Sequence, residues 1–246
     1  MEKKAKVNAS ILIIGNEILS GRTQDTNTST IATWLNSIGV SVSEVRVIPD
    51  VEETIIETLN FLRSKYDYVF TTGGIGPTHD DITAESISIA VKKKYLLNKH
   101  ALIELKKYYK KVKSELTDAR KKMAFMPVGS KLIKNSVSGA PGFKIENIYV
   151  FAGIPSIVEA MTKEFLKMIK FKNKFYSSSI ITNMYESKIA HILKSAEKSF
   201  KQVSIGSYPI FNKKPKGVEI VISSTTNRSN AIKARKYIQQ EINKII

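Results

Sequence analysis

Nine consecutive residues, Gly73-Gly74-Ile75-Gly76-Pro77-Thr78-His79-Asp80-Asp81, hold three glycines, a proline, a hydroxyl and two adjacent carboxylates. They follow an apolar run, Tyr68-Val69-Phe70, and precede a helical pattern over residues 83–93. A strand that breaks into glycines and then a helix suits phosphate. Gly73, Gly74 and Gly76 can turn their N–H groups inward, Thr78 adds a hydroxyl, and the helix start adds unpaired N–H groups and partial positive charge. Asp80 and Asp81 alone would repel a phosphate. They fit if a divalent cation lies between carboxylate and phosphate oxygens, because hard cations take oxygen ligands from both. The competing reading is a tight turn whose aspartates only cap the helix. The density of glycine and acid favours phosphate with metal.

Such a loop needs a strand beneath it, and the pattern supplies several. Residues 10–14 read as a buried strand ending at Gly15, and Asp25, Thr26 or Asn27 can cap a helix reaching about Ser37. Val40, Val42, Val45 and Val47 mark a second strand whose alternation breaks between Val42 and Val45. Asp50 ends it, as a candidate cap for a helix carrying Ile55, Ile56, Leu59 and Leu62, and residues 66–71 form the third strand. Alternation of this kind predicts an α/β fold, a mostly parallel sheet with helices on both faces. Ligands in such sheets lie beyond the carboxyl ends of the strands. Glu17, Asp50 and the 73–81 loop all fall there, which predicts one shared crevice. Asp81 and Asp50 are its candidate catalytic residues, and Asp81, Asp50, Glu17 and Asp80 its candidate metal ligands. No Ser-His-Asp or Cys-His triad is readable, which argues against a covalent mechanism.

Further along, residues 98–124 are helical in pattern, Leu132 and Ile133 mark a short strand, and residues 135–143 are dense in turn formers. Residues 143–145 and 148–151 flank Glu146-Asn147 as a hairpin, and a helix then runs to about Lys170. The lysine-rich stretch 171–174 is the expected boundary, giving domains 1–171 and 172–246. The second reads as a small α+β module of βαββα order.

At 246 residues, with 42% hydrophobic residues, the chain can form a packed core and a smaller appendage. It contains no cysteine, which excludes disulfides and cysteine-based zinc sites and fits a cytoplasmic protein. The basic start, Met1 to Lys6, is followed by too short an apolar run for a signal peptide, and no stretch reaches the ~20 apolar residues of a membrane span. The net charge of +17 comes from lysines scattered in several separate places. Aromatic residues do not interleave with them at base-stacking spacing, which argues against nucleic acid as the partner.

The segments Gly15-Asn16-Glu17-Ile18-Leu19-Ser20-Gly21, Asp25-Thr26-Asn27 and the 73–83 run together resemble the MoaB/Mog molybdopterin-binding domain, most closely its CinA-type (competence/damage-inducible protein A) branch. Lys122-Met123-Ala124, Ala140-Pro141-Gly142-Phe143 and Gly153-Ile154-Pro155-Ser156 agree. The resemblance implies a three-layer α/β/α core that binds a pterin or nucleotide phosphate, and a homo-oligomer. It implies chemistry with magnesium, manganese or cobalt: pyrophosphate hydrolysis of FAD or ADP-ribose, molybdopterin adenylylation, or binding alone. Longer members carry a C-terminal amidase domain that is not expected in this chain. Lys122 would neutralise phosphate, while Asn135 and Ser138 would meet a ring or ribose edge, with Gly139 allowing close approach. The chain departs from the family pattern at Ala152 and Ile157, where a proline and a glutamate are usual.

Overall fold

A computed structural model of the protein describes residues 7–168, 176–210, 217–224 and 227–245. Two compact units emerge, the larger spanning Val7–Asn36 and Ser41–Phe171 and the smaller Lys172–Ile246 together with Ser37–Val40 and Met1–Lys6. The boundary expected at residues 171–174 lies outside the described residues.

The larger unit opens with β1 (Asn8–Ile14), α1 (Asn16–Leu19), α2 (Asn27–Ser37), β2 (Ser41–Ile48), α3 (Glu52–Lys65), β3 (Tyr68–Thr72) and α4 (Thr83–Ala90). It continues with β4 (Tyr95–Leu97), α5 (Lys99–Lys111), α6 (Asp118–Lys121), β5 (Phe125–Pro127), β6 (Lys131–Ile133), β7 (Gly142–Ile145), β8 (Ile148–Phe151) and α7 (Pro155–Met168). The main sheet has the order β2-β1-β3-β8-β7-β6; its first four strands run parallel, β7 pairs antiparallel with β8, and β6 pairs antiparallel with β7. The expected hairpin thus extends the sheet, turning at Glu146 with φ 50°.

Alternate residues of the central strands face opposite helical layers, which is why these strands read as unbroken apolar runs. Leu12, Ile14, Val69 and Val150 pack with Ile55, Leu59 and Leu62 of α3. On the other face Phe70 stacks on Tyr149 at 5.1 Å and meets Phe165 of α7 edge-on at 5.2 Å. Trp34 of α2 closes that layer, 4.5 Å from Phe165. The break between Val42 and Val45 has a cause: the β1–β2 register shifts between Ala9 and Ser10, leaving Ser43 unpaired as a bulge.

Three expectations need correction. The single helix read over 98–124 is two, because Lys113 takes φ 52° after α5 and the Thr117 side chain caps a new turn by accepting from the Arg120 N–H. Helix α4 stops at Ala90, short of Lys93, as Lys92 takes φ 53°. Strands β4 and β5 form a separate antiparallel pair that was not expected. Three-residue strands are too short to show a period.

The smaller unit contains β9 (Tyr176–Thr182), α8 (Glu186–Ser199), β10 (Ser204–Ile210), β11 (Gly217–Ser224) and α9 (Arg228–Asn243), the expected βαββα order. Its antiparallel sheet, β10-β11-β9, buries Ile180, Ile220 and Ile222 with Ile189 and Ile192 of α8 and Ile238 of α9. Among the described residues, no helix is long and apolar enough to cross a membrane.

Candidate functional site

Beyond the end of β3, the chain turns through Gly73 and Gly74, with φ 102° and 66°. The Gly74 carbonyl accepts from the Thr83 N–H at 3.0 Å, so residues 75–82 leave and rejoin one point at the start of α4. The Gly73 N–H does not serve as a phosphate donor as expected, since it donates to the Phe151 carbonyl at 3.3 Å. The N–H groups of Gly74, Ile75 and Gly76 have no acceptor among the described residues. These half-buried donors are the ones available to an anion.

Asp81 does not cap α4, which begins without any side-chain cap. It turns back into the loop, where Oδ2 accepts from the Thr78 N–H at 2.8 Å. The Thr78 hydroxyl lies 2.5 Å from that same oxygen and 2.5 Å from Asp80 Oδ1. A hydroxyl has one proton, so two carboxylates crowd around a single donor. The Asp80 carboxyl is held below its ordinary range, first by the Thr78 hydroxyl, then by a backbone hydrogen bond, and also by the charges of His79 and Lys122. Lys122 reaches across from a short 3₁₀ turn, its Nζ donating to the Thr78 carbonyl at 2.7 Å. Gly76, Asp81 and Lys122 share a recess with Pro141 and Phe143 that encloses only about 10 Å³. An anion would therefore sit at its mouth, with at most one oxygen inside.

The other expected residues lie apart from this cluster. Asp50 does not cap α3, whose N-cap is Val51: its Oδ2 accepts from the Asn16 N–H at 2.9 Å, holding the first turn of α1. Glu17 lines a different small recess with Asp25, Asn27, Thr72 and Gly153. The single expected crevice is thus divided, and no group of three or more His, Asp or Glu placed to hold a metal occurs among the described residues. A metal held jointly by Asp81, Asp50 and Glu17 does not match that arrangement.

Asn135 also departs from expectation. Its Oδ1 accepts from the Val137 and Ser138 N–H groups at 2.9 and 3.2 Å, and its Nδ2 donates to Ser138 Oγ and the Ala140 carbonyl at 2.6 and 2.9 Å. The hydrogen-bonding capacity of the Asn135 side chain is used within its own loop, so Asn135 shapes that loop, while Ser138 Oγ accepts one of these bonds. Sequence reasoning missed Asn27, read only as a possible cap. Its Nδ2 bridges Thr72 Oγ1 at 2.9 Å and the Gly153 carbonyl at 2.7 Å, tying the start of α2 to the ends of two strands. The Asp25-Thr26-Asn27 segment signalled its importance, but not that long-range bridge.

Residues 10–170 match the family described as "Probable molybdopterin binding domain", and residues 174–246 match the middle domain of FAD synthase. An Archaeoglobus fulgidus protein is 33% identical over 233 residues, covering 95% of this chain and 97% of that one. A CinA-like protein of Sulfurihydrogenibium sp. is 32% identical over 238 residues, covering 94% of this chain and 57% of that one. The crystal structure of the protein CinA with unknown function from Thermoplasma acidophilum aligns at a TM-score of 0.60 and 33% identity, covering 65% of this chain and 98% of that one.

Proposed function

Because the chain belongs to the molybdopterin-binding domain family and is CinA-like within it, we propose that it is a metal-dependent hydrolase of dinucleotide pyrophosphates such as FAD or ADP-ribose. The observation that carries this reading is one loop that unites free N–H donors at 74–76, the Lys122 cation and the Asp80–Asp81 carboxylates. The likeness of residues 174–246 to an FAD synthase domain supports a flavin nucleotide among the substrates.

The donor set fits a hard divalent cation. Two carboxylates share one hydroxyl proton at Thr78, and a cation would relieve their repulsion. Asp80 and Asp81 would hold it, and when bound it would neutralise charge on the anhydride. The N–H groups of Gly74, Ile75 and Gly76 bind and orient the phosphoryl oxygens, where charge builds as the bond breaks. Lys122 neutralises a second phosphate. Water adds to one phosphorus while the P–O bond to the bridging oxygen breaks, and that oxygen leaves with the other half. Asp81 Oδ1, the oxygen not engaged by Thr78, is the acceptor for the proton of that water.

A second reading, binding of a pterin or nucleotide without turnover, is favoured by the lack of a three-carboxylate cluster among the described residues. Adenylyl transfer to molybdopterin would draw on the same donors. The test is a panel of FAD, ADP-ribose, NAD, and ATP with molybdopterin, each with magnesium, manganese or cobalt. AMP release from FAD or ADP-ribose supports the hydrolase. Adenylylated molybdopterin instead identifies a transferase, and ligand-raised Tm without product identifies a binding protein.

A further inference from the structure

The net charge of +17 is unevenly shared along the chain. Residues 172–246 hold 14 Lys and Arg against 4 Asp and Glu, a net +10, whereas residues 1–171, more than twice as many, hold 25 against 18. In the smaller unit α8 and α9 pack side by side. Both bury their apolar residues on one face of the sheet, where Ile189, Ile192, Ala234 and Ile238 meet Ile180, Ile220 and Ile222. The outward faces of the two helices therefore point the same way. Lys188, Lys194 and Lys198 of α8 and Lys233 and Lys236 of α9 are all exposed there. Among the described residues none of these five pairs with a carboxylate, and the ion pair on these helices is Lys244 with Glu241 at 2.6 Å. Glu197 is the one exposed carboxylate on either helix.

We propose that this face binds a nucleic-acid duplex through its phosphate backbone, without regard to sequence. The inference does not rest on the glycine loop or its chemistry. From Lys188 to Lys198 is about 15 Å along α8, at a rise of 1.5 Å per residue. Cations spread over that length on two adjacent helices suit a lattice of phosphates, and a duplex presents one charge per about 1.7 Å of its axis. The lysines do not interleave with aromatic residues, so the contact is with phosphates and not with stacked bases. A lipid surface fits less well. A helix that enters one buries an apolar face in it, and among the described residues no large apolar side chain of α8 or α9 is exposed.

Fluorescence anisotropy of a labelled mixed-sequence DNA duplex, titrated with the full chain between about 50 and 200 mM salt, tests this. The wild type is expected to bind with Kd on the order of 10⁻⁶–10⁻⁴ M, log K falling against log salt with a slope of about −4.5, or about 0.9 per phosphate contact. The combined variant Lys194→Gln, Lys198→Gln, Lys233→Gln and Lys236→Gln should bind at least about tenfold more weakly at about 50 mM salt, with a slope near about −1. Changing Lys93, Lys94, Lys106 and Lys111 to Gln instead removes the same charge from the larger unit and should leave affinity within about threefold. Melting curves check that both variants fold. If the first does not, Lys194→Gln with Lys236→Gln replaces it, and the slope should change by about 2. Equal losses in the two variants would mean that net charge alone attracts the duplex, and would overturn the assignment. So would unchanged binding by the helix-face variant, or no binding by the wild type at about 50 mM salt. Tighter binding to phosphatidylserine vesicles or to polyglutamate than to the duplex would overturn it in favour of a membrane or an acidic protein.

Discussion

The Thr78 N–H donates to Asp81 Oδ2 at 2.8 Å, so this carboxylate closes the tip of the glycine loop instead of capping the helix behind it. Charge and loop closure can therefore be separated. Asp81→Asn keeps an oxygen for the Thr78 N–H and should leave Tm almost unchanged, whereas its AMP release from FAD should fall by a factor on the order of 10²–10⁴. Asp81→Ala should lose both turnover and several degrees of Tm. Turnover retained in the Asn variant would remove Asp81 from the chemistry.

Asp50 is placed differently, as an acceptor for the Asn16 N–H at the first turn of α1. Asp50→Ala should cost about 1 kcal/mol, the usual worth of a lost cap. Asp50→Asn should restore that stability and keep turnover within about threefold, since an amide oxygen still accepts. Denaturant melts beside AMP-release rates check it. A collapse of turnover in a stable Asn variant would return Asp50 to the catalytic set.

Gly74 carries a strict backbone demand in the loop. At φ 66° a side chain is strained, and a Cβ would lie 2.0 Å from Thr83 Oγ1, inside the start of α4. Gly74→Ala should destabilise the protein by about 2–4 kcal/mol, combining left-handed strain with overpacking. A urea midpoint that does not move would mean the loop has room that these distances deny.

These contrasts mark where the sequence was legible. Leu12 and Ile14 packing on one side of the sheet, and Phe70 on the other, follow from unbroken apolar runs that only a sheet covered on both faces explains. The glycine loop was visible because three glycines beside two aspartates suit few other purposes. What stayed hidden was the direction of individual polar groups. Residue types place Gly73, Asp50 and Asn135 near a ligand. Their partners (the Phe151 carbonyl, the Asn16 N–H, and Val137 through Ala140) depend on how distant or irregular segments come together. Hydrophobic periodicity reports which face is buried, but not which donor meets which acceptor. The division of one crevice into two recesses is the consequence.

Glu44 gives a prediction about pH. It accepts from the Tyr66 hydroxyl at 2.5 Å, Lys65 at 3.0 Å and Arg46 at 2.6 Å, and these bonds, Tyr66 first, lower its pKa from 4.5 to about 2. A carboxyl depressed in the folded state contributes its stability above the unfolded pKa and loses it as pH falls through the folded one. The Tm advantage of the wild type over Glu44→Gln should therefore be constant at neutral pH, shrink below about pH 4.5 and be nearly gone by about pH 2. The cluster also orients Arg46 and Lys65 over the Phe61 ring, at 4.5 and 5.1 Å, so the variant should loosen that side chain as well. Thermal melts of both proteins at half-unit steps from pH 7 to pH 2 decide the matter. A difference that stays constant across that range would mean that Glu44 does not titrate between its ordinary pKa and the folded one, and that its bonds to Tyr66, Lys65 and Arg46 do not persist in solution.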